Sequence, residues 1–277
     1  RCYAHGAGKT AFFVILIRGL FYMKRLTALA LLLACLMPAL GLAQETVEAD
    51  FESGRWLYEN AAQGVRIEIT RHEDTENRVL WYEADLRCGE ESPLRFLTAN
   101  EESPGKGFWY PERLAREKRA VFAINDDQFG HRVYNHDTVG VIVRGGEVLS
   151  ERTRKSGSKG WPPLDTAAFF PDGSMRVFES AEHTGEEYLA MGAENVLAFG
   201  PWLVRGGEIN PALETAYRTK EPRTAIGMIE PYHYVALFVE GRVKRSGGVP
   251  ARWLAERMAQ LGATEAINLD GGKTSCL

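Results

Sequence analysis

Cysteine is scarce in this 277-residue chain: there are four, and only Cys88 and Cys276 lie beyond residue 43. None of them forms a C-x-x-C pair, which argues against a structural zinc site. An oxidising compartment would permit a Cys88–Cys276 disulfide; two buried thiols are the alternative. A basic surplus is also missing, with 33 Lys and Arg against 37 Asp and Glu. Regular alternation of strand and helix is absent too, which argues against a doubly wound parallel sheet.

The start of the chain differs in character from the rest. Residues 1–22, "RCYAHGAGKTAFFVILIRGLFY", read as translated upstream sequence. Met23 then opens a basic pair, Lys24-Arg25, an apolar run from Leu26 to Leu42, and a small-residue cleavage site at Gly41-Leu42-Ala43. This is the pattern of a secretory signal peptide over 23–43, predicting export to the periplasm or medium and no stable membrane insertion after cleavage. Residues 1–43 hold five basic residues and no acidic ones; without them 28 basic residues face 37 acidic ones, a net charge of −9. Such a balance argues against nucleic acid and anionic membrane surfaces as partners.

Beyond residue 44 the chain reads as many strands and few helices. Val65, Ile67 and Ile69 alternate with Arg66 and Glu68, the period of a half-buried strand. "RVLWYEADL" (78–86), "LRFLTA" (94–99) and "AVFAIN" (120–125) are further strand candidates. Three hairpins are expected around Gly145-Gly146, Pro171-Asp172-Gly173-Ser174 and Gly206-Gly207. The pentapeptide "VRGGE" recurs at 143–147 and 204–208, as two similar turns or a duplication, the first being the simpler reading. Strands are expected over 222–229, 233–243 and 265–269, with helices at "YPERLAREKRA" and "VPARWLAERMAQLG". The basic stretch 151–164 is the clearest loop. The predicted class is α+β: a mixed, largely antiparallel sheet with a few packed helices, in a strand-rich region 44–114 and a domain 115–277.

Two apolar strands end in acids. Ala266 to Leu269 leads into Asp270-Gly271-Gly272, followed by Lys273, Thr274 and Ser275. A strand end sets a carboxylate at a sheet rim, and glycines let backbone N–H groups crowd toward an anion. The segment suits an oxygen-rich ligand such as a phosphate or sugar; a plain turn with a capping aspartate is the alternative. Asn125, Asp126 and Asp127 follow the other strand, as a general-acid site, a divalent-cation site at Asp126 and Asp127, or a solvated turn. Arg223 and Thr224 follow Pro222, where an arginine can fork onto a phosphate. Gly200-Pro201 interrupts an apolar stretch, as at a bulge or close backbone approach. His131, His136 and His233 are the histidines nearest these loops, and each by itself fits a structural role better than a catalytic one.

"AINDDQFG", "VGVIVRGGEV", "FGPWLVRGGEI", "EPRTAIGMIEPYHYVALFVEGR" and "EAINLDGGKTS" stand in the order and spacing of the phosphodiester glycosidase family over roughly 115–277. The chain resembles that family, which includes the lysosomal "uncovering enzyme" and bacterial relatives often labelled exopolysaccharide biosynthesis proteins. The resemblance implies hydrolysis of a carbohydrate phosphodiester at the sugar-1-phosphate bond. It also implies site residues: Asn125 and Asp127, Arg223 and Thr224, and Asp270, Gly271 and Gly272. Asp126 and Lys273 stand where the family usually has glycine, and Gln128 where it often has an aromatic. The family runs on past the final motif with more strands, so the chain reads as a fragment at both ends.

The expected mechanism places Asp127 and Asp270 as the two carboxylates, acid/base and nucleophile or charge stabiliser, their order open. Arg223, Thr224 and the Gly271-Gly272 amides, with Lys273, Thr274 and Ser275, would hold the departing phosphate. The alternatives are a non-catalytic protein binding envelope polysaccharide and a metal-dependent phosphodiesterase attacking phosphorus.

Overall fold

The protein is described by a computed structural model covering residues 14–16, 45–97, 111–125, 127, 137–272 and 275. The segment 23–43 read as a leader lies outside the described residues, as do Asp126, Gln128, His131, His136, Lys273, Thr274 and Cys276.

The larger sheet begins with a meander, β2 (Glu45–Asp50), β3 (Arg55–Asn60), β4 (Val65–Asp74) and β5 (Val79–Arg87). It continues with β12 (Trp202–Arg205), β13 (Glu208–Ile209), β14 (Arg223–Glu230), β15 (His233–Val239) and β16 (Glu265–Leu269). Their spatial order is β13-β12-β16-β14-β15-β5-β4-β3-β2. The β5–β15 ladder, from Arg87 against His233 to Trp81 against Val239, builds the region before residue 114 into the same sheet as the rest. The smaller sheet holds β7 (Gly140–Arg144), β8 (Glu147–Arg152), β9 (Asp165–Phe169), β10 (Met175–Phe178) and β11 (Asn195–Phe199), in the order β10-β9-β11-β7-β8. A short ladder joins β1 (Val14–Leu16) to β6 (Arg95–Leu97), so part of the stretch read as upstream sequence is paired with the body. Three α-helices are found among the described residues: α1 (Pro111–Lys118), α2 (Gly185–Ala190) and α3 (Ala251–Gln260).

Burial explains how these elements stack. Ile67, Leu86, Ile226, Tyr234, Ile267 and Leu269 from the large sheet meet Ala167, Phe169, Met175, Val177 and Leu197 from the small one. The outer face of the large sheet is covered by α3 through Leu254, Ala255 and Met258, packed on Ala225, Leu237 and Ala266. The small sheet buries Val141, Val143, Ala168 and Val196 beneath Tyr188 of α2. The result is a four-layer stack, helix, sheet, sheet, helix. A central strand apolar on both faces reads as one continuous run, and "TAIGM" in β14 is that run.

All the described strand pairs are antiparallel, so the mixed sheet expected from the sequence is corrected to an antiparallel one. Among the described residues 44% are strand and 15% helix, so the class is predominantly β. The three expected hairpins form, and both glycine pairs take positive φ at each residue, 56° and 80° at Gly145-Gly146 and 58° and 82° at Gly206-Gly207. The segment 121–125 is irregular rather than a strand. Phe122 and Ile124 are 4% and 1% exposed, so hydrophobic insertion between the sheets fixes the segment with no ladder to carry it. Helix α2 escaped the sequence reading, although Thr184 and Glu187 form a capping box at its start.

Cys88 sits in the inter-sheet core, and burial pushes its thiol up to about 12. Under reducing conditions at pH 8, the native protein should therefore alkylate at Cys88 more slowly than a free thiol by at least about two orders of magnitude. Full reactivity should appear on unfolding in denaturant; rapid labelling of the native protein would refute the buried placement.

Candidate active site

One end of the stack gathers the segments singled out in the sequence. Arg223 begins β14, Leu269 ends β16 and Phe199 ends β11. Thr224 pairs with Leu269 across the ladder, which sets Arg223 beside the residues that follow β16. The Asn125 amide donates a 2.6 Å hydrogen bond to the main-chain oxygen of Asp270, across 145 residues of sequence. Gly200 donates to the Asn268 carbonyl at 3.0 Å and accepts from the Asn268 amide group at 2.8 Å. Asn125, Gly200, Asp270 and the start of β14 therefore converge.

The glycines after Asp270 are required by close packing. A Cβ on Gly271 would lie 2.8 Å from the Pro222 carbonyl oxygen and 3.8 Å from the Arg223 Cα. Gly272 has φ +69° and donates its N–H to Pro222 O at 3.0 Å. The turn is thus pinned onto the Pro222-Arg223 backbone.

Arg223 supplies a cation beside this turn. Its Nε donates to Val249 O at 3.1 Å and its Nη2 to Thr219 O at 3.2 Å. Among the described residues no carboxylate lies within ion-pair distance of it, the nearby Glu221 being paired with Arg242 at 2.6 Å. Burial holds the Arg223 guanidinium below its ordinary value, with Glu221 acting the other way. A guanidinium stays protonated regardless, so a partly desolvated positive charge faces the rim with donors to spare.

Asp127 is placed differently from the sequence expectation. Its side chain is 0% exposed and its Oδ2 accepts from Arg144 Nη2 at 2.6 Å. Its Oδ1 accepts the N–H of Ala198 at 2.9 Å. Arg144, 5% exposed, also donates to the carbonyls of Val143 at 3.0 Å and Val196 at 2.6 Å. This is a buried ion pair, with Arg144 also over the Phe96 ring at 5.8 Å. A carboxylate so enclosed anchors its loop to β7 and β11; it is not presented to the rim as an acid/base.

The remaining predicted residues divide. Asn125 is 2% exposed and serves the Asp270 contact. Thr224 is 0% exposed, and its Oγ1 has no hydrogen-bond partner among the described residues. It lies within the inter-sheet face rather than on the surface. The Oγ of Ser275 is likewise buried without a hydrogen-bond partner among the described residues. His233 lies at the opposite end of β15 from Val239, hydrogen-bonded to Asp85 at 2.8 Å, away from the site. Among the described residues no three His, Cys, Asp or Glu side chains cluster as metal ligands. Asp127 already has a cation in Arg144. No helix among them is long and apolar enough to cross a membrane.

Asp165 and Arg242 were missed. Asp165 begins β9 and accepts the N–H groups of Ser180 and Trp202, both at 2.9 Å. Burial raises its carboxyl above the usual range, those two donors acting against the shift. Gly200, φ +91° and followed by a cis bond to Pro201, packs on it: a Cβ there would lie 2.9 Å from that of Asp165. This is the close approach expected at Gly200-Pro201, and an aspartate opening a strand gives no signal for it.

A family model of phosphodiester glycosidases matches residues 118–277. A prophage-derived uncharacterized protein of Bacillus subtilis (strain 168), YomE, is 32% identical over 165 residues, 58% of this chain and 24% of that protein. The chain thus spans about a quarter of that curated relative. Among solved structures, the zebrafish N-acetylglucosamine-1-phosphodiester alpha-N-acetylglucosaminidase catalytic domain, auto-inhibited by its pro-peptide, superposes with a TM-score of 0.57 at 18% identity. That match covers 82% of this chain and 76% of the zebrafish one, and it supports the fold. A hypothetical protein from Synechocystis gives a TM-score of 0.48 at 15% identity, covering 83% of this chain and 66% of its own. With more than half its length matched by that family model, the chain belongs to the phosphodiester glycosidase family.

Proposed function

We propose that this chain is an exported glycosidase that hydrolyses a sugar-1-phosphodiester of a cell-envelope or extracellular polysaccharide. Family membership supports the glycosidase class. The observation that carries the substrate reading is Arg223, a partly buried guanidinium with no carboxylate partner among the described residues, beside the Asp270-Gly271-Gly272 turn. A desolvated cation needs an anion, and a phosphodiester supplies one.

In the proposed reaction the bond between the anomeric carbon and the phosphate oxygen breaks. Its electrons leave with the phosphate, water adds to the anomeric carbon, and the products are the free sugar, a phosphomonoester and a proton. A phosphate is a good leaving group, so stabilising its charge matters more than protonating it. We assign that task to Arg223 and backbone N–H groups of the turn, and to Asp270 the oxocarbenium charge and the proton of the attacking water. Asp127 takes a positioning role: its pair with Arg144 holds the loop from which Asn125 reaches Asp270. A divalent cation is not required by this scheme.

Hydrolysis in ¹⁸O-labelled water tests the reaction class. Phosphate oxygens do not exchange on the time scale of the assay, so the released phosphomonoester should carry no label. Label in the phosphate would mean attack at phosphorus, and no release of sugar from any sugar-1-phosphodiester would leave saccharide binding without chemistry.

A further inference from the structure

Arg242 stands beside the same turn and has no part in the scheme above. It follows β15, with φ +58°. Its Nε and Nη2 both engage Glu221 Oε2, at 2.8 Å and 2.6 Å. Its third nitrogen, Nη1, comes to 3.3 Å from where a Cβ on Gly272 would lie. The guanidinium therefore lies against the glycine turn, and a Cβ at position 272 would press on it.

The frame beneath it is rigid. Glu221 forms an antiparallel bridge with Val249, its N–H donating to Val249 O at 3.2 Å and its carbonyl accepting the Val249 N–H at 3.0 Å. Gly248, φ +83°, packs so closely that a Cβ would lie 2.4 Å from the Glu221 carbonyl. Val249 O also receives the Arg223 Nε. Both arginines thus hang from one short piece of backbone, Arg223 flanking Gly271 and Arg242 flanking Gly272. Glu221 is the carboxylate between them, acting on Arg223 through space and on Arg242 by contact. Glu221 and the Asp270 of the turn balance the two cations in number, and what the turn offers an anion is the Nη1 edge of Arg242, which Glu221 does not engage.

We propose that Arg242 is a second anion-binding side chain of this site, taking one oxygen of a bound phosphoryl group while Arg223 takes another. The inference rests on the reading that the turn after Asp270 receives the phosphate. Arginine forks are matched to phosphate oxygens, and two forks held by a fixed frame need little reordering to close on one phosphoryl group. The dianionic phosphomonoester product should gain more from the pair than a singly charged diester.

Isothermal titration of the full chain with inorganic phosphate, at low ionic strength, tests this. The Arg242 side chain is 53% exposed, so its pair with Glu221 adds little to stability and Arg242→Gln should melt with the wild type. Phosphate affinity should fall about tenfold in Arg242→Gln and less in Arg242→Lys, which keeps the charge and loses the fork. Unchanged affinity in Arg242→Gln, with affinity lost in Arg223→Ala, would overturn the role of Arg242 and leave the proposed hydrolysis standing. No binding by the wild type would overturn the two-arginine site itself, while the labelled-water assay judges the reaction separately.

Discussion

Turnover of a sugar-1-phosphodiester should fall by roughly two to three orders of magnitude in Arg223→Ala, the range expected when a fixed charge stabiliser is removed from a developing anion. The size of the effect follows from placement. The guanidinium is partly buried, held by the carbonyls of Val249 and Thr219, and carries no competing carboxylate among the described residues. Its interaction with a leaving phosphate is therefore little screened, and its position is set before substrate arrives. Arg223→Lys should recover only part of the loss, because an ammonium cannot hold both carbonyls and still present a fork. The thermal midpoint should fall only modestly, since two hydrogen bonds are lost, one to the carbonyl of buried Val249 and one to that of exposed Thr219. Near-normal turnover in Arg223→Ala would remove phosphate stabilisation by this residue from the mechanism.

Stability, by contrast, should suffer in Asp127→Ala. Removing one partner of a buried ion pair strands the other charge, which costs about 3–5 kcal/mol. Arg144 would be left with its Nη2 in the core, and the Ala198 N–H would lose its acceptor. For a domain of this size the loss corresponds to a fall in melting temperature on the order of 10 °C. Calorimetry of Asp127→Ala, Arg144→Met and the double variant separates the pair from its surroundings: the double variant should be more stable than the sum of the single losses implies. Additive losses would show that the two side chains do not act as a pair. Activity should fall with Asp127→Ala as well, through the displaced Asn125, and Asp127→Asn tests this apart from gross unfolding. That variant keeps an acceptor for Ala198 N–H, so residual turnover at saturating substrate should exceed that of an Asp270→Asn variant.

The architecture was largely legible because its signals are local. Glycine pairs announce tight hairpins, alternation announces β4, and the Leu254–Met258 stripe announces α3. β2 was not legible: five of its six residues are exposed, so no hydrophobic period marks it. The two copies of "VRGGE" show the limit of such reading. They make the same turn, yet Arg144 turns into the core to meet Asp127 while Arg205 pairs with Glu182 near the surface at 2.9 Å. What distinguishes them is the layer each hairpin packs against, and a pentapeptide carries no record of that. The same reasoning accounts for Asp127. An acid after an apolar run looks like a rim carboxylate until the opposite layer supplies an arginine. Arg242 was missed for a related cause, since only the approach of Gly272 brings it to the turn.

The strand at Glu265–Leu269 occupies the slot between β12 and β14, although it is the last strand of the described chain. Every earlier strand of that sheet must wait for it before the two flanks become one surface. Until it inserts, the start of β14 and the turn after Asp270 are not held together, so the candidate cleft exists only once the sheet is complete.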